Sequence, residues 1–129
     1  MAIVIKVGRE ELRDAMLDVI DFIESDDCQR VEKVALLVAT KDSVYIRKEI
    51  FCKGQETAVS RIDLDSATII SLENNYITVI SLITKEKAKE ILAFLSSGSN
   101  NTIDIALTGE SSSFCLLDAD RELKLCRFC

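Results

Sequence analysis

Two stretches of helical hydrophobic spacing, set in a chain otherwise rich in strand-forming residues, constrain the fold more than any other feature. Apolar residues recur at intervals of three and four over residues 9–25 and again over residues 85–95, which predicts two amphipathic helices. Thr84 suits the N-cap of the second helix, because its hydroxyl can accept a backbone hydrogen bond. The predicted buried faces consist of Leu12, Ala15, Met16, Val19, Ile20 and Ile23 in the first helix and of Ala88, Ile91, Leu92 and Leu95 in the second.

The remaining segments are predicted to be β-strands, because they are rich in β-branched and aromatic residues and are separated by short polar turns. Each predicted helix follows one strand and precedes several, so the pattern indicates two βαβββ-like units, about residues 1–64 and 65–129. The connections are short enough for a single α+β domain with two helices packed on antiparallel sheets. The predicted strands cover residues 2–7, 32–40, 44–46, 49–52, 57–62, 65–72, 76–83, 103–107, 114–117 and 123–128.

The 129-residue chain contains no histidine. Histidine is the commonest general base and metal ligand, and it activates the nucleophile in Ser–His and Cys–His pairs. The four glycines are isolated at the ends of predicted elements, so no phosphate-binding loop is predicted. The sequence therefore favours a non-enzymatic protein that needs no cofactor.

The five cysteines indicate neither a disulfide scaffold nor a metal site. Their number is odd, and the N-terminus lacks the basic stretch and apolar core of a secretory signal. Cys126 and Cys129 have the spacing of half a zinc knuckle, but no second close pair completes the set of four ligands that structural zinc requires. We therefore expect no metal, and a cytoplasmic protein. No membrane association is expected either, because no apolar run approaches the roughly 20 residues that span a bilayer.

The order of elements resembles one domain of the DNA sliding clamps, the ring proteins that hold replicative polymerases on the template. Residues 3–12 look like the first strand and helix entry of the bacterial clamp family, and residues 34–46 look like its first hairpin. Residues 78–117 are similar in layout to the second helix and closing hairpins of that family. The alternative fold is a different two-helix α+β sandwich.

The resemblance implies an accessory protein of DNA metabolism that self-assembles through strand edges and binds peptide segments of partner enzymes. Clamp subunits carry two or three such domains each and close a ring of six domains. A chain with one domain would therefore form a homo-oligomer of six copies. Clamp helices face DNA phosphates, which makes Lys85, Lys87 and Lys89 the DNA-facing candidates. The neighbouring Glu86 and Glu90 favour the alternative that these lysines belong to a solvated helix face.

The net charge of −6 is concentrated in one part of the sequence. Residues 9–27 hold eight acidic and two basic side chains, and the other 110 residues hold 14 of each. This acidity opposes DNA binding and suits a basic protein partner, so the alternative function is an acidic adaptor or inhibitor that keeps the clamp-like fold without encircling DNA. A straight helix cannot surround a metal ion with aligned carboxylates, so a solvated helix face is favoured over a cation site. The candidate partner-binding residues are Glu10, Glu11, Asp14, Asp18 and Asp21.

Overall fold

The computed structural model describes residues 2–25, 31–72, 78–108, 114–119 and 121–125. In these ranges the chain forms nine strands and two helices. In chain order the elements are β1 (Ala2–Gly8), α1 (Arg9–Glu24), β2 (Val31–Thr40), β3 (Val44–Cys52), β4 (Gln55–Asp63), β5 (Thr68–Leu72), β6 (Thr78–Ile83), α2 (Lys85–Ser96), β7 (Thr102–Thr108), β8 (Phe114–Asp118) and β9 (Arg121–Leu125).

The strands form two antiparallel sheets, which confirms the predicted α+β class. One sheet has the order β5-β1-β7-β8-β9, and the other has the order β4-β3-β2-β6. Helix α1 contacts both sheets, through β1, β2 and β3, and it also packs along α2. The helices therefore join the two sheets into one structure with a shared core.

The chain connectivity repeats with an exchange of strands between the sheets. The first unit runs β1-α1-β2-β3-β4, and the second runs β6-α2-β7-β8-β9. The first strand of each unit pairs with the strands of the other unit, since β1 lies beside β7 and β6 lies beside β2. Among the described residues, strand β5 has no counterpart in this arrangement.

The core consists of alternating strand residues together with the predicted apolar faces of the helices. Leu12, Ala15, Met16 and Val19 of α1 are buried, as predicted, while Ile20 and Ile23 are partly buried against the same cluster. In α2, Ala88, Ile91 and Leu95 are buried and Leu92 is partly buried. The strand residues of the core include Ile3, Ile5, Leu37, Ile46, Ile83, Ile103, Ile105, Leu107 and Leu116.

Two features of the strands differ from the sequence prediction. Residues 44–46 and 49–52 form the single strand β3, because Arg47 and Lys48 point to opposite faces of the sheet and each has an acidic partner there. Strands β5 and β6 are neighbours in sequence but belong to different sheets. The turn predicted at residues 73–75 and the end of the last predicted strand, residues 126–128, lie outside the described residues.

Candidate interaction surface on the helix layer

The predicted acidic residues of α1 have different roles in the structure. Glu10 is exposed at the first turn. Glu11 instead accepts hydrogen bonds from the backbone N–H of Ser66 at 2.9 Å and from its hydroxyl at 2.7 Å. The same hydroxyl accepts a bond from the Gly8 N–H at 2.9 Å, so Ser66 links the start of α1 to the connection between β4 and β5. Glu11 is therefore engaged in a contact between α1 and the β4–β5 connection.

The other three predicted carboxylates line an open groove along α1, which we call the α1 groove. Its helix residues recur at intervals of three and four, so they form a second stripe beside the buried one. Leu17 lies in the middle of this stripe with 48% of its surface exposed. The groove is lined by Asp14, Leu17, Asp18, Asp21, Phe22, Ser25 and Lys48.

Two lysines of the neighbouring sheet lie near the Phe22 ring, and one of them, Lys48, lines the groove. Lys48 Nζ lies 2.9 Å from Asp18 Oδ1 and 5.6 Å from the centre of the Phe22 ring, and its side chain is only 16% exposed. Lys33 Nζ lies 5.8 Å from the same ring and donates a hydrogen bond to the Ser25 carbonyl. Both cations thus hold Phe22 in place.

Asp14 and Asp21 reach solvent on the open side of the groove. The side chain of Asp14 is 72% exposed, and its ion pair with Arg13 is long, at 3.9 Å. Among the groove side chains, the three aspartates outnumber the single lysine. The surface is therefore acidic around an exposed leucine.

The three lysines predicted to face DNA do not share a surface. Lys85 pairs with Glu24 at 3.6 Å, and Lys89 is exposed. Lys87 is buried at 9% exposure, where its Nζ donates to the Leu82 carbonyl at 3.3 Å and lies 5.8 Å from the Phe114 ring. Burial lowers the pKa of Lys87, against an opposing effect of Glu90.

The placement of Lys87 corrects the sequence prediction for that residue. Residues two positions apart on a helix point in different directions, whereas residues four apart share a face. Lys85 and Lys89 can therefore lie on one side of α2 only if Lys87 does not. As a result, the helix layer has fewer surface cations than the sequence predicts.

A buried ion network closes the opposite end of the helix pair; we call it the Asp118 network. Arg9 Nη2 lies 2.5 Å from Asp118 Oδ2, and the Asn100 side-chain amide donates to Asp118 Oδ1 at 2.7 Å. Arg121 Nη1 approaches the same carboxylate at 3.3 Å. Hydrogen bonding from Arg9 lowers the pKa of Asp118, with further lowering by Asn100 and Arg121, while desolvation acts in the other direction.

The two arginines of this network also satisfy the C-terminal carbonyls of α2. Arg9 donates to the Leu95 carbonyl at 2.5 Å, and Arg121 donates to the Phe94 carbonyl at 2.6 Å. The Arg121 guanidinium lies 4.2 Å from the centre of the Phe94 ring. Positive charge at a helix C-terminus is favourable because the last carbonyls carry partial negative charge. The network therefore connects α1, α2, β8 and β9, and its role is structural.

Strand β4 is the most exposed edge of the molecule in the described ranges. Every one of its nine residues except Ile62 is exposed, and it pairs with β3 on one side only. Strand β9 is the corresponding last strand of the second unit and ends the other sheet. Edges of this kind present unpaired backbone groups to a further strand.

The part of the chain that the structure describes contains no group of three or more His, Cys, Asp or Glu residues arranged to hold a metal. Cys52 and Cys115 are free thiols, whereas Cys28, Cys126 and Cys129 lie outside the described residues. Neither described helix is long and apolar enough to cross a membrane.

No model of a known protein family matches the chain, and a search among curated proteins also finds no match.

Proposed function

We propose that this protein is a cytoplasmic, non-enzymatic, clamp-like accessory of DNA metabolism that acts by self-assembly and by binding partner proteins. The observation that carries the proposal is the exchanged repeat, in which two β-α-βββ units build two antiparallel sheets with a helix pair across them. A repeated unit of strand, helix and antiparallel strands is what the resemblance to sliding clamps implies.

The edge strands β4 and β9 support self-assembly of the kind that a ring requires. They occupy equivalent positions in the two units, as the last strand of each, but they belong to different sheets. Pairing β4 of one copy with β9 of the next would be head-to-tail association, which closes a ring when the rotation between copies permits. A ring of six domains would then need six copies of this chain.

The solution mass tests this proposal. We expect assemblies close to six times the 14.4 kDa of one chain, and retention on circular but not on linear DNA at low salt. Val59→Lys adds a charge to the exposed edge β4 and should produce monomers, because edge lysines oppose strand pairing. Ile70→Lys on β5 is the matched control and should leave the assembly intact, since Ile70 has similar exposure on an edge outside the repeat. A monomeric wild-type protein at micromolar concentration would contradict the proposal.

The acidity of the helix layer supports a second function, that of an adaptor or inhibitor that presents α1 to a basic protein. Asp14 and Asp21 are exposed, Lys87 is buried, and Lys85 is engaged by Glu24. Such a layer repels DNA phosphates unless cations intervene.

Charge reversal separates the two functions. If the adaptor function is correct, the wild-type chain binds polylysine but not duplex DNA at low salt, and Asp14→Lys with Asp18→Lys removes the polylysine binding. If the wild-type chain is retained on circular DNA and the double variant binds polylysine as well as the wild type does, the adaptor function is wrong.

A further inference from the structure

The α1 groove combines exposed apolar surface with unbalanced negative charge, and nothing in the described part of the chain covers it. We propose that this groove binds a basic amphipathic segment of a partner protein, with one apolar side chain against Leu17 and Phe22 and a lysine or arginine beside each of Asp14 and Asp21. The inference rests on the adaptor function and specifies its ligand.

Leu17 supplies the exposed apolar surface of the groove. A single exposed leucine is ordinary on a protein surface. Leu17, however, is the only helical residue among the four large hydrophobic residues that are exposed in the described ranges. It shares a concave surface with Phe22, whose ring is already held by two lysines. An incoming apolar side chain can therefore be buried there without displacing a core residue.

The open carboxylates of the groove determine the sign of the ligand's charges and the distance between them. Lys48 already pairs with Asp18, which leaves Asp14 and Asp21 as the open carboxylates on either side of Leu17. These two residues are two helical turns apart, or about 10 Å along the axis. Cations one turn before and one turn after an apolar residue on a ligand helix match that separation. Nucleic acid does not suit this groove, because its phosphates would face the same carboxylates.

The length of the groove favours a short segment. Its lining residues run from Asp14 to Ser25, the C-cap of α1, a distance of about 16 Å along the helix axis. A helix of three turns has about this length. The ligand is therefore a local motif on a partner protein and not an extended surface.

A fluorescent helical peptide tests the inference by anisotropy on the full chain. The probe is an alanine-based peptide in which one leucine has a lysine one turn before it and another one turn after it. Asp14→Asn with Asp21→Asn should weaken binding about fivefold and reduce its dependence on salt. Leu17→Ala should weaken binding by a similar factor while leaving the salt dependence intact. Lys48→Met should tighten binding, because Asp18 then has no internal partner.

The matched control is Glu86→Gln with Glu90→Gln, which removes the same charge from an exposed face of α2 outside the groove. This control should leave peptide affinity unchanged, and circular dichroism should show that all variants keep the wild-type fold. If the control weakens binding as much as the groove variant does, or if a peptide with glutamine in place of leucine binds equally well, general acidity explains the attraction and the inference is overturned.

The other outcomes separate this inference from the functions on which it rests. Loss of polylysine binding in Asp14→Lys with Asp18→Lys, without any preference for the leucine-bearing peptide, would support the adaptor function but reject the groove as its specific site. If Leu17→Ala dissociates an oligomer without changing peptide affinity, the groove binds a second copy of this chain and the inference is wrong. A monomer that binds the peptide would support the inference and contradict the ring.

Discussion

The N-terminus of α1 and its exposed face carry charged residues in opposite environments. At the N-terminal end, Arg9 is 13% exposed and is held by Asp118 and by the carbonyl groups of Leu95, in the last turn of α2, and Asn100, after its end. Further along the helix, Asp14 is 72% exposed, and its ion pair with Arg13 is long, at 3.9 Å. In the first environment the charged groups are paired within the protein, whereas in the second they are exposed to solvent.

This difference indicates which charges can be changed without harming the structure. A buried carboxylate that loses its cations leaves an uncompensated charge and is costly, while an exposed carboxylate is hydrated with or without a partner. We therefore expect the Asp118 network to determine stability and the α1 groove to determine binding. Substitutions in these two regions should therefore separate stability from binding.

Asp118→Ala is expected to cause the largest loss of stability. It removes the carboxylate that joins Arg9, Asn100 and Arg121, and leaves two guanidinium groups near α2 without their acidic partner. Breaking a buried ion pair in this way typically costs about 3–5 kcal/mol. Urea unfolding measures the change in the free energy of unfolding. Asp118→Asn keeps the shape of the side chain and should therefore lose less stability than Asp118→Ala. A loss no larger than that of an exposed substitution would show that the network contributes little to stability.

Gly98→Ala should disturb the same network by steric overlap. A Cβ atom at Gly98 would overlap Asp118 Oδ2 and the guanidinium group of Arg9. Because both groups are fixed by other contacts, the free energy of unfolding should fall by about 1–3 kcal/mol. The control is Ser99→Ala, at the next and exposed position, which should change little. Equal stability of the two variants would mean that Asp118 and Arg9 can shift to accommodate the added Cβ atom without loss of stability.

Stability should also fall on acidification, through the protonation of Asp118. Its pKa in the folded protein lies below the ordinary value of 3.8, mainly because of the hydrogen bond from Arg9. The stabilisation is therefore complete above the unfolded-state pKa and is lost as the pH falls through the folded-state pKa. The difference in unfolding free energy between the wild type and Asp118→Asn should narrow below pH 3.8. If the difference stays constant as the pH falls below 3.8, ionised Asp118 is not the source of the stabilisation.

The sequence predicts the helices better than it predicts these two environments. The spacing of Leu12, Ala15, Met16 and Val19 identifies the buried face of α1, because helix periodicity is a local property. The same spacing excludes Leu17 from that face, so its exposure could have been inferred. The position of Lys87 was also predictable, since it cannot share a helix face with residues two positions away.

The long-range contacts have no comparable signal in the sequence. Arg9 and Asp118 are 109 positions apart, and neither the composition nor the local pattern around them indicates that they meet. The placement of β5 and β6 in different sheets has the same cause, because strand pairing depends on the whole topology. Local patterns therefore predict the elements and their faces, while the network that closes one end of the helix pair depends on tertiary packing.

The smallest effect on stability is expected from the groove variant Asp14→Asn with Asp21→Asn. Both carboxylates are exposed, so the free energy of unfolding should change by less than about 0.5 kcal/mol. The same variant should nevertheless weaken binding of the leucine-bearing basic peptide, whereas Gly98→Ala should leave the binding unchanged under conditions in which it is folded. Urea unfolding and peptide anisotropy on the same preparations measure both properties. If the groove variant is destabilised as much as Gly98→Ala, its carboxylates belong to the fold, and the division between a structural end and a binding face is wrong.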